Sequence, residues 1–113
     1  MELIDQWQQK DPEDPAALEG SGKIKARNFP NPFNPTTRIS FQIDEPGFVS
    51  VEIYNARGQK VQSLMNNEYR NEGLYEVNWD AKNDHGQPVP TGIYFYKISL
   101  GTESLTQQML FIK

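Results

Sequence analysis

The chain has 113 residues, room for a single domain with one modest core, and an aromatic content generous for its otherwise polar composition: two tryptophans, five tyrosines and six phenylalanines. Its net charge of −4, with acids and bases interspersed, leaves no basic stripe to neutralise a phosphate backbone, so nucleic acid is not an expected partner. There are no cysteines, which removes a disulfide framework, a thiolate zinc site and a cysteine nucleophile, and no apolar run approaches the roughly 20 residues needed for membrane insertion as a spanning helix.

Met1–Arg27 differs from the rest. It holds Asp11-Pro12-Glu13-Asp14-Pro15 and Gly20-Ser21-Gly22, and only Leu3, Ile4 and Trp7 could anchor it. That composition reads as a flexible linker or docking extension, with one short helical turn at its start. Trp7 beside Ile4 offers a contact for a partner or for the domain itself. Met1 to Lys10 lack the basic and apolar regions of a secretory signal peptide. The expectation is therefore a fragment of a larger protein.

From Asn28 the hydrophobic period becomes two. Ile39, Phe41 and Ile43 alternate with Arg38, Ser40 and Gln42, the pattern of a half-buried strand. Glu45-Pro46-Gly47 turns the chain into a second strand carrying Val49, Val51 and Ile53. Asn55-Ala56-Arg57-Gly58 reads as a hairpin loop, with Gly58 supplying the positive φ that closes it. Val61 to Leu64 predicts a short, weak strand, and Tyr75, Val77 and Trp79 mark a further one. The stretch from Asp80 to Gly92 is polar and rich in turn formers. Ile93 to Leu100 is strongly β-prone, with Tyr94, Tyr96 and Ile98 on one face, and Gly101-Thr102 turns into a last strand from Leu105 to Ile112. About seven short strands with turn signals every 8–12 residues predict an all-β, immunoglobulin-like antiparallel sandwich over residues 28–113.

Chemistry is sparse. The one histidine, His85, sits in Asn83-Asp84-His85-Gly86, which reads as an exposed turn, and no serine stands in a nucleophile-elbow context. Asp80 and Asp84 are the best candidates for an acid/base pair or a calcium loop. The alternating Asp-x-Asp-x-Asn-Gly pattern that arranges oxygens around calcium is missing, so Asp80, Asn83 and Asp84 are expected to cap the turn through bonds to backbone N–H groups. Trp79, Tyr94 and Tyr96 could form a sugar-stacking platform only if exposed, and their alternating positions favour the core. No catalytic, metal or cofactor site is expected.

One cluster is specific. Asn28-Phe29-Pro30-Asn31-Pro32-Phe33-Asn34-Pro35-Thr36-Thr37 places three prolines within six residues just before a strand. Proline fixes φ, removes a donor and pushes its neighbour to extended conformations, so the segment is a stiff lead-in. Its asparagines are expected to close Asx-type turns, and Phe33 to pack under the sandwich. This segment resembles the opening motif of the type A C-terminal sorting domain of the type IX (Por) secretion system of Bacteroidetes. The same layout is shared by the immunoglobulin-like domain of flagellar hook-capping proteins. The resemblance continues through Val51-Glu52-Ile53-Tyr54-Asn55, Gly58-Gln59-Lys60-Val61, Trp79-Asp80, Asn83-Asp84 with Gly86, and Thr91-Gly92-Ile93-Tyr94-Phe95-Tyr96. It ends in Gln107-Gln108-Met109-Leu110-Phe111-Ile112-Lys113, where the family usually has a basic residue in place of Gln107 or Gln108.

The resemblance implies a non-catalytic module at the C-terminus of a larger cargo. It implies recognition by an outer-membrane translocon and a sortase-like surface protease, and export through the periplasm to the cell surface or medium. Pro30, Asn31, Pro32, Phe33, Asn34, Pro35, Gly58, Trp79, Asp80, Gly92, Tyr94, Tyr96, Met109, Phe111 and Lys113 match its motifs. The alternative is a structural spacer or small subunit of a surface or hook-capping assembly.

Overall fold

A computed structural model of the chain describes residues 18–113. Leu3, Ile4, Trp7 and the expected helical turn lie outside the described residues. The strands are β1 (Glu19–Ser21), β2 (Ile24–Phe29), β3 (Thr37–Ile43), β4 (Gly47–Asn55), β5 (Lys60–Arg70), β6 (Gly73–Trp79), β7 (Gly92–Leu100) and β8 (Glu103–Phe111). They form two four-stranded antiparallel sheets, ordered β1-β2-β3-β6 and β5-β4-β7-β8, with no helix among the described residues. This is the expected sandwich.

Alternation decides which face is buried. Ile39, Phe41 and Ile43 of β3 face Val49, Val51 and Ile53 of β4 and Tyr96, Ile98 and Leu100 of β7 in one continuous core. Burying a side chain of this size stabilises by about 1.5–3 kcal/mol, whereas an exposed pair such as Lys23–Glu45 at 3.0 Å is screened by solvent and contributes little. The core therefore sets the fold, and the ion pairs decorate it.

Two expectations are corrected. The sheet starts earlier than the periodic stretch suggested: β1 and most of β2 lie within the expected linker, and the boundary at Asn28 falls inside β2. Ile24 and Ala26 are fully buried, but two apolar residues flanked by Lys25 and Arg27 make too short an alternation to stand out. The short strand at Val61–Leu64 is the start of the eleven-residue β5. Its pairing with β4 shifts register three times, which scrambles the period-two signal.

Candidate functional site

The proline-asparagine segment leaves β2 at Phe29 and returns at Thr37 to open β3. Between them it crosses to the other sheet and fastens the end of β8. Phe33 N donates to Leu110 O at 3.0 Å, Ile112 N donates to Phe33 O at 3.0 Å, and Leu110 N donates to Asn31 Oδ1 at 3.0 Å. The three X–Pro bonds of the segment, before Pro30, Pro32 and Pro35, are cis.

The segment is itself braced. Asn28 is buried in β2, and its Nδ2 donates to Thr37 Oγ1 at 3.1 Å, while Thr37 Oγ1 donates to Pro30 O at 2.8 Å. Asn31 Nδ2 donates to Asn28 Oδ1 at 3.3 Å. Each polar group that the segment buries thus meets a partner, which is what makes burial affordable in a low-dielectric interior. Asn28 stays local, its Nδ2 also donating to Pro30 O at 3.4 Å, whereas Asn31 Oδ1 serves no turn among the described residues and reaches across 79 positions of sequence to the last strand.

Phe33 anchors the clasp. It is 2% exposed, stacks on Phe111 at 5.1 Å between ring centroids and tilts against Trp79 at 5.7 Å. Trp79 meets Tyr94 edge-on at 5.2 Å. The polar ends of these rings are satisfied: Trp79 Nε1 donates to Lys82 O at 2.9 Å, and Tyr94 Oη donates to Pro90 O at 2.6 Å. Burial pushes the Tyr94 phenol above its ordinary pKa. Tyr96 Oη donates to Gln107 Oε1 at 2.6 Å, and burial, helped by the Glu19 carboxylate, pushes its phenol well above the ordinary range. Trp79, Tyr94 and Tyr96 are core residues, so they make no sugar platform.

The other motif residues separate. Met109 and Phe111 are buried at the end of β8, beneath the clasp. Pro30, Pro32, Asn34 and Pro35 are exposed. Gly92 stands in β7, paired with Phe111, rather than in a turn. Lys113 is exposed, and its N–H donates to Thr91 Oγ1 at 3.2 Å.

The loops at the same end of the sandwich reveal a repeat that the sequence reading missed. Asn55-Ala56-Arg57-Gly58-Gln59-Lys60-Val61 and Asn83-Asp84-His85-Gly86-Gln87-Pro88-Val89 share the pattern Asn-x-x-Gly-Gln-x-Val. They fold alike. Asn55 Oδ1 accepts from Arg57 N and Gln59 N, as Asn83 Oδ1 accepts from His85 N and Gln87 N. The glycines, at φ of +83° and +77°, close both loops by donating to the O of the leading asparagine. A comparison of the chain with itself at this spacing would have found the repeat. The loops flank an open groove of about 440 Å³ lined by Gln59, Lys60, Val61, His85, Val89 and Tyr94 among others.

Of the residues expected to cap the second loop, Asn83 does so. Asp84 instead binds the edge of β5, donating N–H to Val61 O at 3.0 Å and accepting from Ser63 N at 3.1 Å. Among the described residues Asp80 makes only a loose ion pair with Lys82 at 4.0 Å. His85 is exposed in its turn. Among the described residues no group of three or more His, Asp or Glu gathers closely enough to hold a metal.

Comparison with curated proteins finds no match. Among solved structures, the chain is similar to dimeric latent PorU from Porphyromonas gingivalis, with 21% identity and a TM-score of 0.63. The likeness covers 84% of this chain and 10% of that one. It is similar also to PorZ, a surface component of the type-IX secretion system of the same organism, at 18% identity and a TM-score of 0.54 over 78% of this chain and 11% of that one. FlgD from Xanthomonas campestris, a hook-capping protein, matches at 19% identity and a TM-score of 0.51, over 79% of this chain and 62% of that one. At these identities the likeness is one of fold. The chain spans about a tenth of the length of PorU or PorZ. The FlgD Ig-like domain family matches residues 28–104, well over half of the sequence and every strand from β3 through β7, and the chain belongs to that family.

Proposed function

We propose that the chain is a non-catalytic sorting module that directs an attached cargo through the type IX secretion system to the cell surface or medium. The observation that supports this best is the clasp. The two sequence features that resemble a sorting domain, the Pro30–Pro35 opening and the Met109–Lys113 ending, are far apart in sequence but form one hydrogen-bonded unit around Phe33 and Phe111. A folded tag read by a translocon needs a rigid surface at its recognised end, and this unit supplies one without any disulfide. The fold likeness to PorU and PorZ agrees with the reading. The proposed partners are the translocon, a sortase-like surface protease and the cargo itself.

A second reading has an observation of its own. The family match is to the FlgD Ig-like domain, and the chain covers 60–62% of the FlgD chains it resembles, far more than of PorU or PorZ. A structural domain of a hook-capping or surface assembly would show the same fold and clasp.

The deciding experiment fuses the full chain to the C-terminus of a fluorescent reporter bearing a standard signal peptide, in a bacterium with the type IX system. Sorting predicts reporter on the surface or in the medium, lost when the translocon is deleted. Folded fusion retained in the periplasm of both strains would favour the structural domain.

A further inference from the structure

The two edges of the second sheet are finished differently. At β5 the ladder to β4 shifts register three times, Asp84 caps Val61 and Ser63, and Lys60, Glu68 and Arg70 stand along the strand. Bulges, charges and a covering loop keep an edge from pairing with another chain.

Among the described residues the backbone edge of β8 is bonded only at its C-terminal end, by the clasp, although the side chains of Gln107 and Glu103 also reach Glu19 O and Lys23 N at 3.2 Å each. Leu110 turns its N–H to Asn31 and its C=O to Phe33, hence away from β7. Backbone direction alternates along an antiparallel strand, so Gln108, Thr106 and Ser104 turn their N–H and C=O groups the same way. Among the described residues no hydrogen bond reaches these groups. The run Ser104-Leu105-Thr106-Gln107-Gln108 has no charge, no proline and no register shift.

This bare edge borders a groove of about 370 Å³ on the outer face of the sheet, lined by Tyr54, Phe95, Lys97 and Thr106 among others. Lys97 stands directly opposite Thr106. Its other neighbour, Glu52, is engaged by Tyr54 Oη at 2.7 Å and by Lys60 at 3.9 Å. Lys97 makes no ion pair among the described residues.

We propose that β8 is a docking edge for an extended, acidic segment of a partner protein, which adds antiparallel to Ser104–Gln108 and sets a carboxylate on Lys97. Main-chain bonds supply affinity in such strand addition, and alternate side chains supply specificity. Strands lie about 4.8 Å apart, so a residue paired with Thr106 stands roughly 10 Å from the Lys97 backbone. A glutamate and a lysine side chain close that distance between them across the short Thr106. The docking edge does not depend on the sorting reading, because a spacer domain would expose the same edge.

The test is an NMR titration of the labelled full chain with a capped peptide, Thr-Val-Thr-Glu-Thr-Val-Thr. The expected result is saturable shifts at the amides of Ser104, Thr106, Gln108 and Lys97, with hydrogen exchange slowed at the first three. Thr106→Pro removes an N–H that bonds nothing in the described chain, and it should abolish binding while the domain stays folded. Lys97→Ala, or glutamine for glutamate in the peptide, should weaken binding about two- to fivefold. Absence of saturable shifts overturns the proposal, as does binding indifferent to both Thr106→Pro and Lys97→Ala. Strong protection of the three amides before peptide is added also overturns it, since the edge would then be occupied by the chain itself. Should the proline variant not fold, the lysine variant and the exchange measurement still decide. A chain that exports cargo but ignores the peptide refutes this proposal alone.

Discussion

Replacing Phe33 by alanine tests the clasp as an energetic unit. The ring is 2% exposed and fills the space between Trp79 and Phe111, so alanine leaves a cavity at the join of the two sheets. Truncating a buried phenylalanine costs about 3–5 kcal/mol, set against about 5–15 kcal/mol for a whole domain. With a urea m-value of about 1.3 kcal/mol/M, the unfolding midpoint falls by roughly 2–4 M. Phe29→Ala is the control, since that ring is 47% exposed and its loss should cost about 0.5 kcal/mol. A double-mutant cycle between Phe33 and Phe111 should add a coupling of about 0.5–1.5 kcal/mol for the stacked pair. If Phe33→Ala costs no more than Phe29→Ala, the segment is a decoration on the sandwich, and the reasoning fails.

The twin loops and the buried tyrosine give further expectations. Asn83→Ala removes the acceptor for His85 N and Gln87 N and should cost about 1–2 kcal/mol, read as a fall in Tm; an unchanged Tm would show the loop holding itself by other means. Gly58→Ala meets no atom within 4 Å but must hold φ at +83°, so about 1 kcal/mol should be lost, and Gly58→Asn should lose less. Tyr96, raised in pKa by burial, binds its proton more tightly folded than unfolded. Its contribution is full below about pH 10 and is lost as pH rises further, by up to about 1.4 kcal/mol per pH unit. Tyr96→Phe should flatten that alkaline slope, and a slope identical in both proteins would remove Tyr96 as its source.

How far the sequence could be read depended on whether the signal was periodic. Strands β4 and β7 bury alternate residues, and β3 does so with Ser40 buried besides, so Ile39-Phe41-Ile43 and Tyr94-Tyr96-Ile98 announced both their type and their inner face. Strand β5 could not be measured that way, because its bulges and the left-handed Asn67, at φ +52°, reset the alternation along its length. Strand β2 was hidden by brevity, and its buried polar residue Asn28 looked like the start of a loop. For the clasp, composition showed that the segment was stiff and that Phe33 was suited to burial. Its target on β8 was invisible, since the bonds at Asn31 and Phe33 join positions brought together only by the stacking of two sheets. The asparagine repeat was legible in the letters and would have emerged from a search for period rather than for chemistry.

The most direct test of the account is amide hydrogen exchange at Leu110 and Ile112, whose N–H groups meet Asn31 Oδ1 and Phe33 O. In the native chain both should be protected nearly as well as Ser99 in the centre of the sheet. In Asn31→Ala the Leu110 amide should lose its partner and exchange about 2- to 13-fold faster, the range for a typical hydrogen bond worth about 0.5–1.5 kcal/mol, while Ser99 is unchanged. Equal protection at Leu110 in both proteins would contradict the claim that the opening segment holds the terminal strand.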